Sequence, residues 1–278
     1  EAYFERPRYV SRKPRTSRYD MAILCNPDEA MPPSNERALA KFQRAARRVG
    51  IETERITRED YGRLAEFDAL LIRETTSVNH HTYRFARRAQ NLGLVVIDDP
   101  ESILKCTNKV YLAERLMRQQ VRVPKTFIVH RDNLGSVSEA VGLPCILKQP
   151  DSYFSQGVFK ADSEESLREG ALRLLAKSDL IIAQEFFPTD FDWRVGVLDG
   201  QPLYVCRYYM APRHWQIQKT ESSGKVSYGR CDTLPVEDAP HAVVKTALKA
   251  ANLVGNGLYG VDLKERDRRV YVIEVNDN

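Results

Sequence analysis

The sequence predicts an α/β protein: a doubly wound parallel sheet at the N-terminal end, then a larger α+β region that closes on a β-hairpin. Three observations carry this prediction. Short apolar strands alternate with amphipathic helices over residues 19–107, the pattern of a parallel sheet with helical crossovers. The strand Asp68-Ala69-Leu70-Leu71-Ile72-Arg73 is nearly all apolar, as a strand buried on both faces must be. The last twenty residues hold two β-branched, aromatic arms around Glu265-Arg266-Asp267-Arg268, a charged break that reads as a turn.

Taken in order, Tyr19-Asp20-Met21-Ala22-Ile23-Leu24-Cys25-Asn26 is a short apolar strand before a Pro-rich turn. Residues 34–49 have helical spacing, with Ala38, Phe42, Ala45 and Val49 on one stripe. Strands at 51–56 and 68–73, a helix at about 79–92 and a strand at 94–97 complete a first domain, 19–107. The pattern then changes. An amphipathic helix at 108–119 carries Lys109, and a strand follows at 125–129. A helix begins near Asp132, and the strand at 143–148 ends in Lys148. A polar loop at 149–157, a strand at 158–160, a helix from Ser163 and an apolar strand at 180–187 come next. Residues 193–198 and 202–209 form a hairpin around Asp199-Gly200. A helix at 237–253 precedes the final hairpin. This second region divides into 108–188 and 189–278.

The 278 residues suffice for two domains. A hydrophobic share of 42% suits a globular protein with a sizeable core. No apolar run approaches the roughly 18 residues that span a membrane, and no secretory segment is visible. We therefore expect no membrane association. Cys25, Cys106, Cys145, Cys206 and Cys231 form no C-x-x-C pair, which points to free thiols in a reducing compartment, the cytoplasm. None has a paired base, so thiol catalysis is excluded. The net charge of +4 resides in residues 1–18, where Arg6, Arg8, Arg12, Lys13, Arg15 and Arg18 face Glu1 and Glu5. This basic arm reads as a solvated linker; contact with nucleic acid or a ribosome is the alternative. Opening on Glu1 and closing on a strand, the chain is expected to be part of a longer polypeptide.

The final hairpin carries the sharpest chemistry. Glu274 and Asn276 are two apart and share a strand face, and Asp262 lies on the partner strand. A carboxylate among apolar strand residues is costly to bury unpaired. Magnesium answers that cost, since it takes carboxylate oxygens and completes its shell with water and substrate phosphates. The competing reading is an exposed strand whose Glu274 and Asn276 are solvated. For Asp262 and Glu274 to share a face, the loop must be odd. We expect a three-residue loop, Arg266-Asp267-Arg268, with Glu265 opposite Arg269 and Asp262 opposite Val272; an even loop needs a bulge to restore the face.

Four elements thus stand in a fixed order: Lys109 on a helix, Lys148 before a polar loop, Gln184-Glu185-Phe186-Phe187, and Asp262…Glu274-x-Asn276. Over roughly 108–278 this set resembles the ATP-grasp superfamily, and within it the RimK-type ligases, which add glutamate to an amine. The domain at 19–107 resembles the one that precedes the grasp there. The resemblance implies ATP and magnesium as cofactors, with manganese an alternative. It implies that Lys109 and Lys148 neutralise phosphate charge and that Ser152, Ser155 and Gly157 touch it. Gln184, Glu185, Phe186 and Phe187 would read adenine through backbone groups, and Asp262, Glu274 and Asn276 would hold the metal. Arg207 resembles the arginine on the transferred phosphate; the alternative is a surface strand arginine. Lys148 is otherwise a snorkelling lysine, and 184–187 a core strand. Asp190 accepts ribose hydroxyls or caps a turn. The loop departs from the usual glycine-rich pattern, with Tyr153 and Phe154 in its middle.

Arg73 and Thr76 follow the third strand, whose carboxyl end faces the ligand crevice in such sheets; both are candidate substrate contacts. Arg194, Lys219 and Asn278 are further candidates, although Arg194 shares a face with Asp192 and can simply pair with it. His214 and Trp215 lie with Lys219 in a loop-like region over the acceptor. His80 and His81 diverge on a helix and lack zinc-ligand spacing. The resemblance implies an ATP- and magnesium-dependent carboxylate–amine ligase acting through an acyl phosphate. It would join glutamate or another amino acid to an amine on a peptide, a protein terminus or a metabolite. A cytoplasmic homo-oligomer is expected. The alternatives are a small-molecule ligase like glutathione synthetase or D-alanine–D-alanine ligase, and a nucleotide-binding regulatory module without turnover.

Overall fold

The computed structural model describes residues 17–151, 157–220 and 226–277. Ser152, Tyr153, Phe154, Ser155, Asn278 and residues 1–16 of the basic arm lie outside them. Contacts divide the chain into two units, Glu1–Thr75 with Arg88–Val96, and Thr76–Arg87 with Ile97–Asn278. Residues 97–107, assigned above to the first domain, cluster instead with the second unit.

In the first unit β1 (Tyr19–Leu24), β2 (Ile51–Ile56), β3 (Ala69–Ile72) and β4 (Val95–Ile97) form one sheet in the order β2-β1-β3-β4. β1 runs parallel to β2 and to β3, with Met21 opposite both Thr53 and Ala69. α1 (Glu36–Arg48) begins where the Asn35 side chain accepts the Ala38 N–H at 3.0 Å, satisfying a donor that the helix leaves orphaned. Its buried residues are Leu39 and Ala46. The stripe read from the sequence is therefore rotated: Phe42 and Val49 are exposed, because the large aliphatic Leu39 takes the core position. A 3-10 stretch, Arg58–Glu66, leads into β3, and α2 (His81–Asn91) crosses the division between the units.

The second unit opens with α3 (Pro100–Thr107) and α4 (Lys109–Arg118). The Asp99 carboxylate accepts the Ser102 N–H and Pro100 follows at the first helical position, a helix start that the sequence pattern alone does not reveal. β5 (Thr126–Val129), α5 (Val137–Val141), β6 (Cys145–Lys148), β7 (Val158–Ala161), α6 (Glu164–Leu175) and β8 (Ile181–Glu185) follow. Their strands make an antiparallel sheet, β5-β8-β6-β7, whose core includes Val129, Leu147, Leu167 and Ala171. α6 crosses this sheet at Gly170, where a Cβ would sit 2.4 Å from the Phe159 ring.

The remaining elements are β9 (Phe191–Leu198), β10 (Gln201–Tyr209), β11 (Gln218–Thr220), β12 (Val226–Tyr228), β13 (Cys231–Leu234), α7 (His241–Val254), β14 (Leu258–Arg266) and β15 (Arg269–Asp277). β11 and β12 form a small ribbon; the others build the sheet β13-β10-β9-β14-β15. Val195, Val261 and Val275 of this sheet share one core with Val243, Ala247 and Ala250 of α7. Lys105 and Arg115 donate to the carbonyls of Val254 and Leu253 at the end of α7, where cations are favoured.

Both hairpins in this sheet turn on two residues with left-handed backbone. These are Asp199-Gly200, at φ 48° and 69°, and Asp267-Arg268, at φ 53° and 59°. The expected three-residue loop at 266–268 is therefore wrong: Arg266 faces Arg269 and Glu265 faces Val270. An even loop would send Glu274 to the face of Val261. Instead the ladder skips Ile273, so Leu263 faces Val272 and Asp262 faces Glu274. This bulge restores the shared face. The other hairpin skips Leu203 in the same way.

Candidate active site

One face of the five-stranded sheet is apolar and packs with α7. The other face carries Asp192 and Arg194 of β9, Asp262 and Lys264 of β14, and Glu274 and Asn276 of β15. Alternation from the buried residues Trp193, Val261, Leu263 and Val275 puts them there. Each carboxylate in this cluster has a cation. Arg194 donates Nε and Nη2 to the two Asp262 oxygens at 2.7 and 2.6 Å. Lys264 donates to Asp192 at 2.5 Å and to the Thr189 hydroxyl at 2.8 Å. Lys109, in the first turn of α4, reaches Glu274 at 2.7 Å. Asp192 and Arg194 thus do not pair with each other, because β14 places Asp262 directly opposite Arg194. Asn276 Nδ2 donates to Asp262 at 3.0 Å and to the Gly260 carbonyl at 3.3 Å.

Lys148 stands apart from these pairs. It closes β6, and its Nζ donates to the neutral Gln184 amide oxygen at 2.9 Å; that amide in turn donates to Thr126. Burial pulls its pKa from 10.5 to about 8; Glu274 pulls it up, while Lys109 and Lys264 push it further down. Lys148 is therefore the surplus cation of the cluster. For Glu274 burial pushes the carboxyl up, but Lys109 and Lys148 outweigh it, and the net shift is downward. Glu274 stays ionised in a half-buried place.

The donor set fits a hard dication. Asp262 and Glu274 are directly opposed, closer than the diagonal arrangement expected, and Asn276 is bonded to Asp262. All three offer oxygen, as magnesium requires.

Toward the turn of the β14–β15 hairpin the surroundings become aromatic. Phe187 packs on Tyr271 at 4.8 Å, with the Arg266 guanidinium 3.8 Å over the Phe187 ring. Phe186 meets Trp215 edge-on at 5.9 Å and carries the Lys160 ammonium over its face at 4.6 Å. The Glu185 and Phe186 N–H groups donate to the carbonyls of Lys125 and Pro144. Gly157 takes φ 71° and accepts the Gln149 N–H, which closes the polar loop.

Other candidates lie elsewhere. Arg73 belongs to the first unit, where it is buried and donates to Ser34 at 2.9 Å and to the Pro33 carbonyl at 3.0 Å. Thr76 donates to Asp277 at 2.6 Å, at the end of β15. Asp190 is exposed, His214 contacts Gln216, and Lys219 lies on the β11–β12 ribbon opposite Ser227. Among the missed residues Lys264 matters most. Its signal was Asp262-x-Lys264, two residues on one face.

Arg207 requires correction. A regular ladder from the Asp199-Gly200 turn would set it opposite Asp192, on the charged face. The residue skipped at Leu203 sets it opposite Trp193 instead, on the apolar face. There its guanidinium lies 4.8 Å from the Trp193 ring and 5.3 Å from that of Phe191. Arg207→Ala is therefore expected to lower the melting temperature through lost stacking while leaving turnover near the wild-type value. A turnover collapse in a folded variant would return Arg207 to the site.

A family model described as the ATP-grasp domain matches residues 106–277. The alpha-aminoadipate–LysW ligase LysX of Sulfurisphaera tokodaii is 25% identical over 194 residues, 67% of this chain and 65% of that protein. The match thus spans just under two thirds of that relative. A probable alpha-L-glutamate ligase of Marinomonas sp. is 26% identical over 220 residues, 77% of this chain and 70% of that protein. The crystal structure of a RimK domain protein ATP-grasp from Sphaerobacter thermophilus superposes with a TM-score of 0.69 at 15% identity, covering 93% of this chain and 90% of that one. That likeness shows the shared fold. No helix among the described residues is long and apolar enough to cross a membrane. The family model covers more than half of the chain, and the chain belongs to the ATP-grasp family.

Proposed function

We propose that the protein is an ATP- and magnesium-dependent carboxylate–amine ligase that works through an acyl phosphate. The observation that carries the reading is the charged sheet face. There three carboxylates, Asp192, Asp262 and Glu274, meet four cations, one of which, Lys148, has no carboxylate bonded to it among the described residues. A polyphosphate supplies what that cation lacks. Asp262, Glu274 and Asn276 would hold magnesium, which supplies charge neutralisation on the phosphates. Lys109 and Lys148 bind phosphate oxygens, Gly157 closes the loop beside them, and Phe186, Phe187 and Tyr271 wall the base. The chain's work is positioning and electrostatics. A carboxylate oxygen attacks the γ-phosphorus and ADP leaves. The amine then attacks the acyl carbon, loses its proton, and phosphate departs as the amide forms.

The two relatives are named for alpha-aminoadipate and alpha-L-glutamate, amino acids whose side chains end in a carboxylate, and the same class, glutamate first, is our reading for the donor. The acceptor is an amine on a peptide, a protein terminus or a metabolite. Five cysteines without a disulfide suit a reducing cytoplasm. The test is a screen of acidic amino acids against amine acceptors for ADP release, with the donor carboxylate labelled by ¹⁸O. Transfer of label into phosphate is the expected result. ADP release without label transfer sinks the acyl phosphate, and no ADP release with any pair sinks the ligase.

A further inference from the structure

Arg194 reaches across from β9 to grip a residue assigned above to the metal. Its two-pronged bond to Asp262 engages both carboxylate oxygens, at 2.7 and 2.6 Å. Arg194 lies over Gly260, where a Cβ would sit at ordinary contact distance, 3.5 Å from Cδ, Nε and Nη1 of Arg194. Tyr208 flanks the guanidinium at 5.5 Å, and the Tyr204 ring covers Gly196, where a Cβ would lie 2.2 Å from it. Glu274 is bonded by Lys109 through one carboxylate oxygen at 2.7 Å. Two carboxylates read as metal ligands are thus each held by a protein cation.

We propose that Arg194 is a placeholder: it occupies Asp262 in the metal-free protein, competes with the dication, and is released when the dication binds. The inference rests on the metal reading of Asp262, Glu274 and Asn276. The release has a use. A guanidinium that loses its carboxylate partner in a partly buried place needs another anion. Over Gly260 it is held beside the carboxylates read as metal ligands, where a substrate carboxylate or the transferred phosphoryl group supplies that anion in the planar form that arginine matches. Arg194 would thus contribute to catalysis only after the metal arrives, which ties phosphoryl transfer to a loaded site.

A placeholder makes a prediction of opposite signs. Removing it strengthens metal binding and weakens turnover, whereas loss of a merely structural residue weakens both. The experiment titrates Mn²⁺ against the protein saturated with ADP, following free Mn²⁺ by electron paramagnetic resonance, in wild type, R194Q and R194K. R194Q is expected to bind Mn²⁺ on the order of tenfold tighter, equivalent to about 1.4 kcal/mol, with ligase turnover strongly reduced. R194K keeps the charge and loses the two-pronged bond, and is also expected to bind Mn²⁺ tighter than wild type. Equal or weaker binding in R194K overturns the proposal even if R194Q tightens, because charge alone then accounts for the effect. If R194Q fails to fold, R194K decides. No Mn²⁺ bound by wild type with ADP overturns the metal reading itself, which is a different result.

Discussion

Glu274→Ala is expected to lower ligase turnover by about 10³-fold, since in the proposed mechanism it removes a metal ligand beside the transferred phosphoryl group. The same change should destabilise the nucleotide-free protein by about 3 kcal/mol, because Lys109 and Lys148 lose their common anion. Removing one member of a partly buried pair leaves the other uncompensated. Lys109 is only 11% exposed and bonds Glu274 at 2.7 Å, so it cannot simply turn to water. Glu274→Gln separates shape from charge and should be nearly as inactive. Steady-state ADP release and urea unfolding measure the two effects. Turnover within about tenfold of wild type would remove Glu274 from the site.

Lys148→Met should move the same two quantities in opposite directions. Turnover falls by about 10²- to 10³-fold, as expected when one preorganised charge contact on the transferred group is lost. Stability of the nucleotide-free protein holds or rises. A pKa pulled from 10.5 to about 8 means that the fold disfavours the charged form by roughly 3 kcal/mol. Between those values the unfolded chain binds more protons than the folded one, so stability rises with pH across the window. The destabilisation is fully present below pH 8. Nucleotide binding needs the charged form, so ATP affinity should fall as pH climbs past about 8. Both slopes should vanish in Lys148→Met. A variant markedly less stable than wild type would show that Lys148 is a structural lysine.

Residue identity made part of the site legible and strand parity concealed the rest. Lys109, Lys148, Asp262, Glu274 and Asn276 converge because their order along the chain follows the element order. Glu274 with Asn276 needed only the two-residue period of a strand. The face of Arg207 depends on Leu203, whose exposure as an extra residue leaves no compositional mark. The pairing of Asp192 depends on β14, some seventy residues away, so no local pattern reveals that Lys264 is its partner. α1 carried two apolar stripes, and only packing against a sheet could choose Leu39 and Ala46. α3 is eight residues long, too short for periodicity to announce it, and only its cap was readable.

The skipped residues at Leu203 and Ile273 lie in two hairpins of a single sheet, and each works as a sign change. Counting from its own turn, either extra residue exchanges inside for outside over the rest of its strand. In β15 the exchange brings a carboxylate to the charged face; in β10 it takes a guanidinium away from it. The hairpin at 267–268 could reach the same arrangement with its odd residue in the turn and none in the strand. Ile273 is therefore dispensable to the pairing itself: a chain lacking it keeps the two-residue turn, with Leu263 opposite Val272 and Asp262 opposite Glu274 on a ladder that has no extra residue.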